Sequence, residues 1–183
     1  MLYIMRHGET DWNVRRKLQG HTDVPLNDNG RKMAKEAAEK YKDVHFDICY
    51  CSPLIRAKET AEIFLSGRDV PIITDDRLQE MSFGEYEGTE NTFAIPDCPI
   101  NKLFLDPEKY IDPPGGAESF KSLFARTGEF LREVALPLTD EGKDVLIVGH
   151  GAMNSSIICQ IRNTPKKDFW IAGLEQCRLI KLI

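Results

Sequence analysis

The sequence predicts an α/β domain with a mostly parallel central sheet. Short apolar runs alternate with longer stretches of helical periodicity, and the runs carry the β-branched residues expected of strands buried on both faces. Size agrees: 183 residues, 42% hydrophobic and 29% charged, can bury a core without disulfides or metals, and no internal repeat or low-complexity tract interrupts them. One domain is expected over residues 1–183.

The elements follow in order. Leu2 to Met5 is the first strand. Asp28 to Tyr41 reads as a helix with Ala34, Ala37 and Tyr41 facing inward and Asn27 or Asp28 as its cap. Phe46 to Cys51 is a strand, and Leu54 to Leu65 is a helix with Leu54, Ala57, Ala61 and Phe64 on one stripe. Val70 to Thr74 is the next strand. From Phe83 to Gly116 the periodicity dissolves around Pro96, Pro99, Pro107, Pro113 and Pro114. Phe93, Phe104 and Tyr110 do not suit a polar linker, so this segment is expected to fold back over the sheet edge as a lid. Ser119 to Leu138 is the clearest helix, with Phe120, Leu123, Phe124, Thr127, Leu131, Val134 and Leu138 on its stripe and Ser119 as cap. Val145 to Val148 is a strand, a helix follows His150, and Arg178 to Ile183 is the last strand.

A formal net charge of -5 repels nucleic acid and anionic membrane at long range, so neither is expected as a partner. A phosphorylated ligand would need a local island of positive charge. Cys49, Cys51, Cys98, Cys159 and Cys177 show no repeated spacing, which suits a reducing cytoplasm. Met1 to Met5 run straight into Arg6-His7 without a basic lead or cleavage site, and no apolar run reaches membrane-spanning length, so a soluble, intracellular chain is expected.

The island of charge is found at strand ends. Arg6-His7-Gly8 closes the first strand and Gly149-His150-Gly151 closes another; Arg56 lies in the first turn of the helix after Cys51, and Glu80 follows the strand near Thr74. In open α/β sheets ligands bind beyond the carboxyl ends of strands, where helices begin and point N–H groups at an anion. Two forked guanidiniums and a second imidazole can neutralise a phosphate dianion, which frees His7 to attack in line. A neutral imidazole is a competent nucleophile once a hydrogen bond on its other nitrogen sets the tautomer. Glu80 is the candidate general acid for the leaving alkoxide.

Arg6-His7-Gly8-Glu9-Thr10-Asp11-Trp12-Asn13 resembles the signature of the histidine phosphatase superfamily, the phosphoglycerate mutase-like group. Further blocks resemble that family in the same order: Leu18 to Leu26, Ser52 to Ala57, Leu78-Gln79-Glu80 with Phe83-Gly84 and Glu87-Gly88, Gly116 to Ser119, and Val148 to Gly151. The resemblance implies a three-layer α/β/α sandwich, which the pattern of elements already suggests. It implies that His7 becomes a phosphohistidine, that Arg6, Arg56 and His150 complete the phosphate pocket, that Glu80 donates the proton, and that water then hydrolyses the intermediate with Glu80 as base. Asn13, Gln19, Gly20 and His21 are the positions expected nearest the substrate. No metal or other cofactor is expected. Tyr86 stands where many members carry Trp, and the excursion after Gly88 is short and unusual, so the family's chemistry transfers while its substrates do not.

Other chemistries are weaker. Cys51 precedes Arg56 with one residue too few for a cysteine-phosphatase cradle and closes an apolar strand. The histidines and cysteines lack zinc-site spacing, and His45 before a strand reads as structural. The Arg15-Arg16-Lys17 run reads as a solvated face that could meet a second anionic group. The expected activity is hydrolysis of small phosphorylated metabolites. A mutase of the phosphoglycerate type is the alternative, disfavoured because residues 83–116 carry only Lys102 and Lys109 among many acids. A binding module without catalysis ranks last, since nucleophile and acid are both present.

Overall fold

The computed structural model describes residues 1–171 and 175–183. At its centre β1 (Leu2–Arg6) lies parallel to β4 (Val145–Gly149), pairing residue for residue from Leu2 with Val145 to Arg6 with Gly149. The five-stranded sheet has the order β3-β2-β4-β1-β5, where β2 is Ile48–Cys51, β3 is Ile72–Thr74 and β5 is Leu179–Lys181. The neighbours are parallel except β1 and β5, which run antiparallel.

Alternation along β1 and β4 divides the core. Leu2, Ile4, Val145 and Ile147 face one layer; Tyr3, Met5, Leu146 and Val148 face the other. The first layer packs against α5 (Phe120–Phe130) and α7 (Gly151–Arg162) through Phe120, Leu123, Phe130, Met153 and Ile157. The second packs against α2 (Asp28–Lys40) and α3 (Ile55–Phe64) through Ala34, Ala37, Ala61 and Phe64. Helices on both faces of a mostly parallel sheet make the expected three-layer sandwich. Each fully buried Leu, Ile, Val or Phe favours it by about 1.5–3 kcal/mol over exposure.

The helix ends are chemically explicit. Asn27 caps α2 by accepting from the Gly30 N–H at 2.8 Å, and Ser119 caps α5 by accepting from Ser122 at 3.1 Å. Leu54 has no such group for α3, and Asp23 supplies it instead, accepting from the Ile55 N–H at 2.7 Å. β2, β3 and β5 are shorter than the apolar runs that predict them, whereas β1 and β4 each run one residue further. Phe46 and Val70 lie before β2 and β3 and are core residues of loops, because burial alone does not place a backbone in the ladder.

The long helix expected from Ser119 to Leu138 runs as α5, a π turn at Leu131–Ala135, and α6 (Leu136–Asp140). Pro137 cannot donate to the preceding turn, and the widened turn lies just before it. Residues 83–116 hold more local order than their composition suggested: a series of short 3₁₀ turns around α4 (Lys102–Leu105). Ile100, Leu103 and Tyr110 are buried in the same core cluster as Leu2 and Val145. A further short helix, α1 (Asp11–Val14), follows β1 and had no sequence forecast. Among the described residues, no helix is long and apolar enough to cross a membrane.

Candidate active site

Strand register explains how His7 and His150 meet. Because Arg6 pairs with Gly149, the next residue of each strand emerges at the same edge, and the His7 N–H bonds the Gly149 carbonyl at 2.9 Å. The two imidazoles stand edge to face with centroids 5.2 Å apart. On the other side of β4, Cys51 pairs with Val148, and the chain leaves β2 through Ser52 into α3, whose first turn carries Arg56. Arg6, His7, Arg56 and Glu80 line one cavity of about 260 Å³, together with Asn13, Gln19, Gly20 and the start of α7.

His7 is held as one tautomer. Its Nδ1 lies 2.6 Å from the Gly8 carbonyl, which can only accept, so Nδ1 carries the proton and Nε2 keeps its lone pair. Burial first, then the Arg56 and Arg6 guanidiniums, hold the imidazole well below its ordinary pKa of 6.5, so it is neutral at neutral pH. Gly8 has no room for a side chain, since a Cβ would stand 2.5 Å from the Gly30 carbonyl oxygen, and its N–H is fixed by Thr60 Oγ1 at 3.0 Å.

His150 is fully buried, and neither ring nitrogen has a partner among the described residues. Burial and the Arg56 charge lower its pKa as well. Arg56, also fully buried, donates to the Gly20 carbonyl at 2.7 Å and the Thr22 carbonyl at 2.9 Å, while its Nε has no partner among the described residues. Burial lowers its pKa to about 10, which leaves it charged at neutral pH. Buried donors without a partner are costly unless a ligand takes them, and Arg56 lines the cavity in which a ligand would sit. Burial lowers the Arg6 pKa too, opposed by the Glu80 charge.

Glu80 closes the site from the α7 side. Its carboxylate accepts from Gly151 at 2.9 Å, Ala152 at 3.2 Å, Met153 at 3.0 Å and its neighbour Met81 at 2.8 Å. It thus caps a helix whose own N-cap residue, His150, makes no side-chain cap. Arg126 fixes the backbone beneath it, donating to the carbonyls of Arg77, Gln79 and Glu80 at 2.7, 2.8 and 3.2 Å. Glu118 grips the Arg126 guanidinium in a fork at 2.8 and 2.9 Å.

The remaining sequence-predicted positions divide. Asn13 Oδ1 accepts from the Thr10 N–H and from Gln176 Nε2, and Gln19 Oε1 accepts from the Thr10 hydroxyl at 2.9 Å. With their oxygens spent, both carboxamides have NH₂ groups left to donate. Gly20 lines the cavity in a left-handed conformation with φ of 55°. His21 does not join them. It is exposed and outside the lining because the turn aims the His21 and Thr22 N–H groups at the Glu87 carboxylate, at 3.0 Å each.

Leu18, Phe83, Phe104 and Trp170 also line the cavity. Leu18 and Phe83 fell within family-like blocks without being named for the substrate, Phe104 was marked only as an aromatic in a proline-rich stretch, and Trp170 carried no sequence signal. Lys17, the last residue of the basic run, lines the cavity as well. Cys51 is buried away from the lining with its thiol pKa raised to about 11, as expected of a core residue. Among the described residues, His45, Asp47 and Asp144 could offer three metal ligands, but they lie outside this cavity, and Asp144 pairs with the Met1 ammonium at 3.0 Å.

A family model described as the histidine phosphatase superfamily (branch 1) matches residues 2–183. The uncharacterized phosphatase PhoE of Bacillus subtilis is 39% identical over 163 residues, 86% of this chain and 75% of that protein. Phosphoglycerate mutase-like protein 4 of Arabidopsis thaliana is 35% identical over 170 residues, 91% of this chain and 73% of that protein. The solved structure of Bacillus stearothermophilus YhfR superposes with a TM-score of 0.85 at 33% identity, covering 97% of this chain and 88% of that one. The chain belongs to the histidine phosphatase superfamily, branch 1, and is a histidine phosphatase of that branch.

Proposed function

We propose that the protein hydrolyses small phosphorylated metabolites through a phosphohistidine on His7. The observation that carries this reading is a neutral His7 with Nδ1 tied to the Gly8 carbonyl and Nε2 available beside Arg6, Arg56 and His150. In the first step Nε2 forms a bond to phosphorus as the ester P–O bond breaks, and Glu80, which enters this step as the carboxylic acid, gives its proton to the departing alkoxide and is left as the carboxylate. Glu80 releases an N–H of α7 to do so. In the second step water attacks the phosphohistidine, Glu80 takes the water's proton, and the N–P bond breaks to free phosphate. Asn13 and Gln19 donate to phosphoryl oxygens through their free NH₂ groups, while Glu118 and Arg126 act by positioning Glu80.

Phosphate release by the purified protein from a panel of sugar, glycerate, nucleotide and amino-acid phosphates, beside His7→Ala, tests this reading. His7-dependent release with an acid-labile phosphoenzyme is expected; release that His7→Ala leaves intact would overturn it. Similarity to a phosphoglycerate mutase-like relative keeps the mutase alternative in view. It requires holding a bisphosphorylated intermediate, yet Lys102 and Lys109 are both exposed and neither lines the cavity. Interconversion of 3- and 2-phosphoglycerate faster than phosphate release would establish the mutase instead.

We further read residues 1–183 as one domain in which 83–116 roofs the cavity. The free, buried state of all five cysteines supports a cytoplasmic location.

A further inference from the structure

The phosphomonoesterase reading leaves the alcohol half of the substrate open, and the inference that follows rests on it. Besides Arg6, His7 and Arg56, the cavity wall has an apolar part, formed by Leu18, Phe83, Phe104 and Trp170. Phe104 and Trp170 stack, with centroids 5.4 Å apart and planes 28° apart, and Phe83 flanks Phe104 at 6.2 Å. The indole Nε1 of Trp170, its only side-chain donor, already serves the Leu103 carbonyl at 2.9 Å. This half of the wall therefore presents ring carbon and methyl groups.

Charge on this side is scarce. Among the described lining residues Lys17 is the only ammonium, and it sits 5.4 Å from the centre of the Trp12 ring, drawn toward an aromatic face. An alcohol bearing a second phosphate or a carboxylate needs convergent charged donors, of the kind gathered around His7 and lacking here. A flat apolar ring needs aromatic edges and faces, which are present. Size narrows the choice. About 260 Å³ lies just under the span of roughly 300–1,000 Å³ usual for drug-sized ligands, which suits one phosphate and one ring.

We infer that the preferred substrate is a phosphate monoester whose alcohol carries a single aromatic ring, seated against the Phe104–Trp170 pair. The phosphate end is then held by charge and the alcohol end by ring contact and desolvation. Because the two halves share no residue, affinity for the ring can be removed while affinity for the phosphate stays.

Calorimetric binding of two non-hydrolysable phosphonates tests this without turnover: 2-phenylethylphosphonate and ethylphosphonate, with 3-phosphonopropanoate as the carboxylate-bearing competitor. The phenyl group should tighten binding to the wild type by about 10-fold or more. Trp170→Ala should cut that gain to below about 3-fold while ethylphosphonate affinity is unchanged. Equal affinity for the phenyl and ethyl compounds, or tighter binding of 3-phosphonopropanoate, overturns the inference. If Trp170→Ala or Phe104→Ala also loses ethylphosphonate, the wild-type comparison alone decides. A protein that shows the phenyl gain yet releases no phosphate from any monoester refutes the hydrolytic reading and leaves the aromatic preference standing.

Discussion

The two halves of the cavity are built by different means. The half proposed to hold phosphate is made at the ends of β1, β2 and β4, where Arg6, His7, Arg56 and His150 are placed by strand register and by the first turns of α3 and α7. The apolar half is made by Phe83 and Phe104 from a run of short turns and by Trp170 from near the end of the chain. Strand pairing fixes positions to within a hydrogen bond, whereas short turns tolerate insertion and exchange. On the proposed reading, chemistry that requires in-line geometry falls to the rigid half and discrimination between alcohols to the half that can vary.

Substitutions can break this division. His7→Ala should lower kcat on every substrate by about 10⁵-fold or more, the scale of losing a nucleophile, measured by phosphate release in the steady state. Comparable residual rates on some substrates would mean that the strand-end half does not carry the chemistry. Glu80→Gln should slow alkyl phosphates by about 10²–10³-fold and aryl phosphates far less, because a good leaving group needs no proton. Equal slowing of both would remove Glu80 from the acid role.

Glu118→Gln keeps the shape of its contact but removes the charge opposite Arg126. It should lower kcat on alkyl phosphates by about 10-fold with little change in KM, and should leave aryl phosphates nearly untouched. A variant that raised KM for all substrates alike would place Glu118 outside the support of Glu80.

The smallest effect is on stability against pH. His7 and His150 have pKa values held below the ordinary 6.5 by burial, so the unfolded chain takes up protons near that pH that the folded chain refuses. Stability therefore falls as the pH drops through 6.5, by at most about 1.4 kcal/mol per pH unit for each imidazole. Tm measured from neutral pH down to about pH 5.5 should decline, and the decline should be shallower in His150→Gln. An unchanged slope in that variant would show that the buried imidazoles do not govern the acid side.

Much of the strand-end half was legible because its residues follow recognisable apolar runs. The helices over Ile55–Phe64 and Gly151–Arg162 begin where the sequence placed them, just after strands ending in Cys51 and Gly149. Gln19 and His21 show the limit. Both were expected near the substrate, yet the left-handed turn at Gly20 leaves Gln19 in the cavity and His21 on the surface. No local pattern reports which way such a turn aims a side chain. The ordered turns of 83–116 were illegible for a related reason, since their burial rests on the long-range partners that Ile100 and Leu103 find around Phe120 and Phe169.

The sequence alone determined the layer order and the residue types proposed to meet a phosphate, because periodicity and side-chain chemistry are local properties. Tertiary structure decided the neighbour relations: which strand ends lie side by side, that Glu80 caps α7, and that Trp170 stands against Phe104. Those depend on distances between residues far apart in the chain, which only the packed backbone sets.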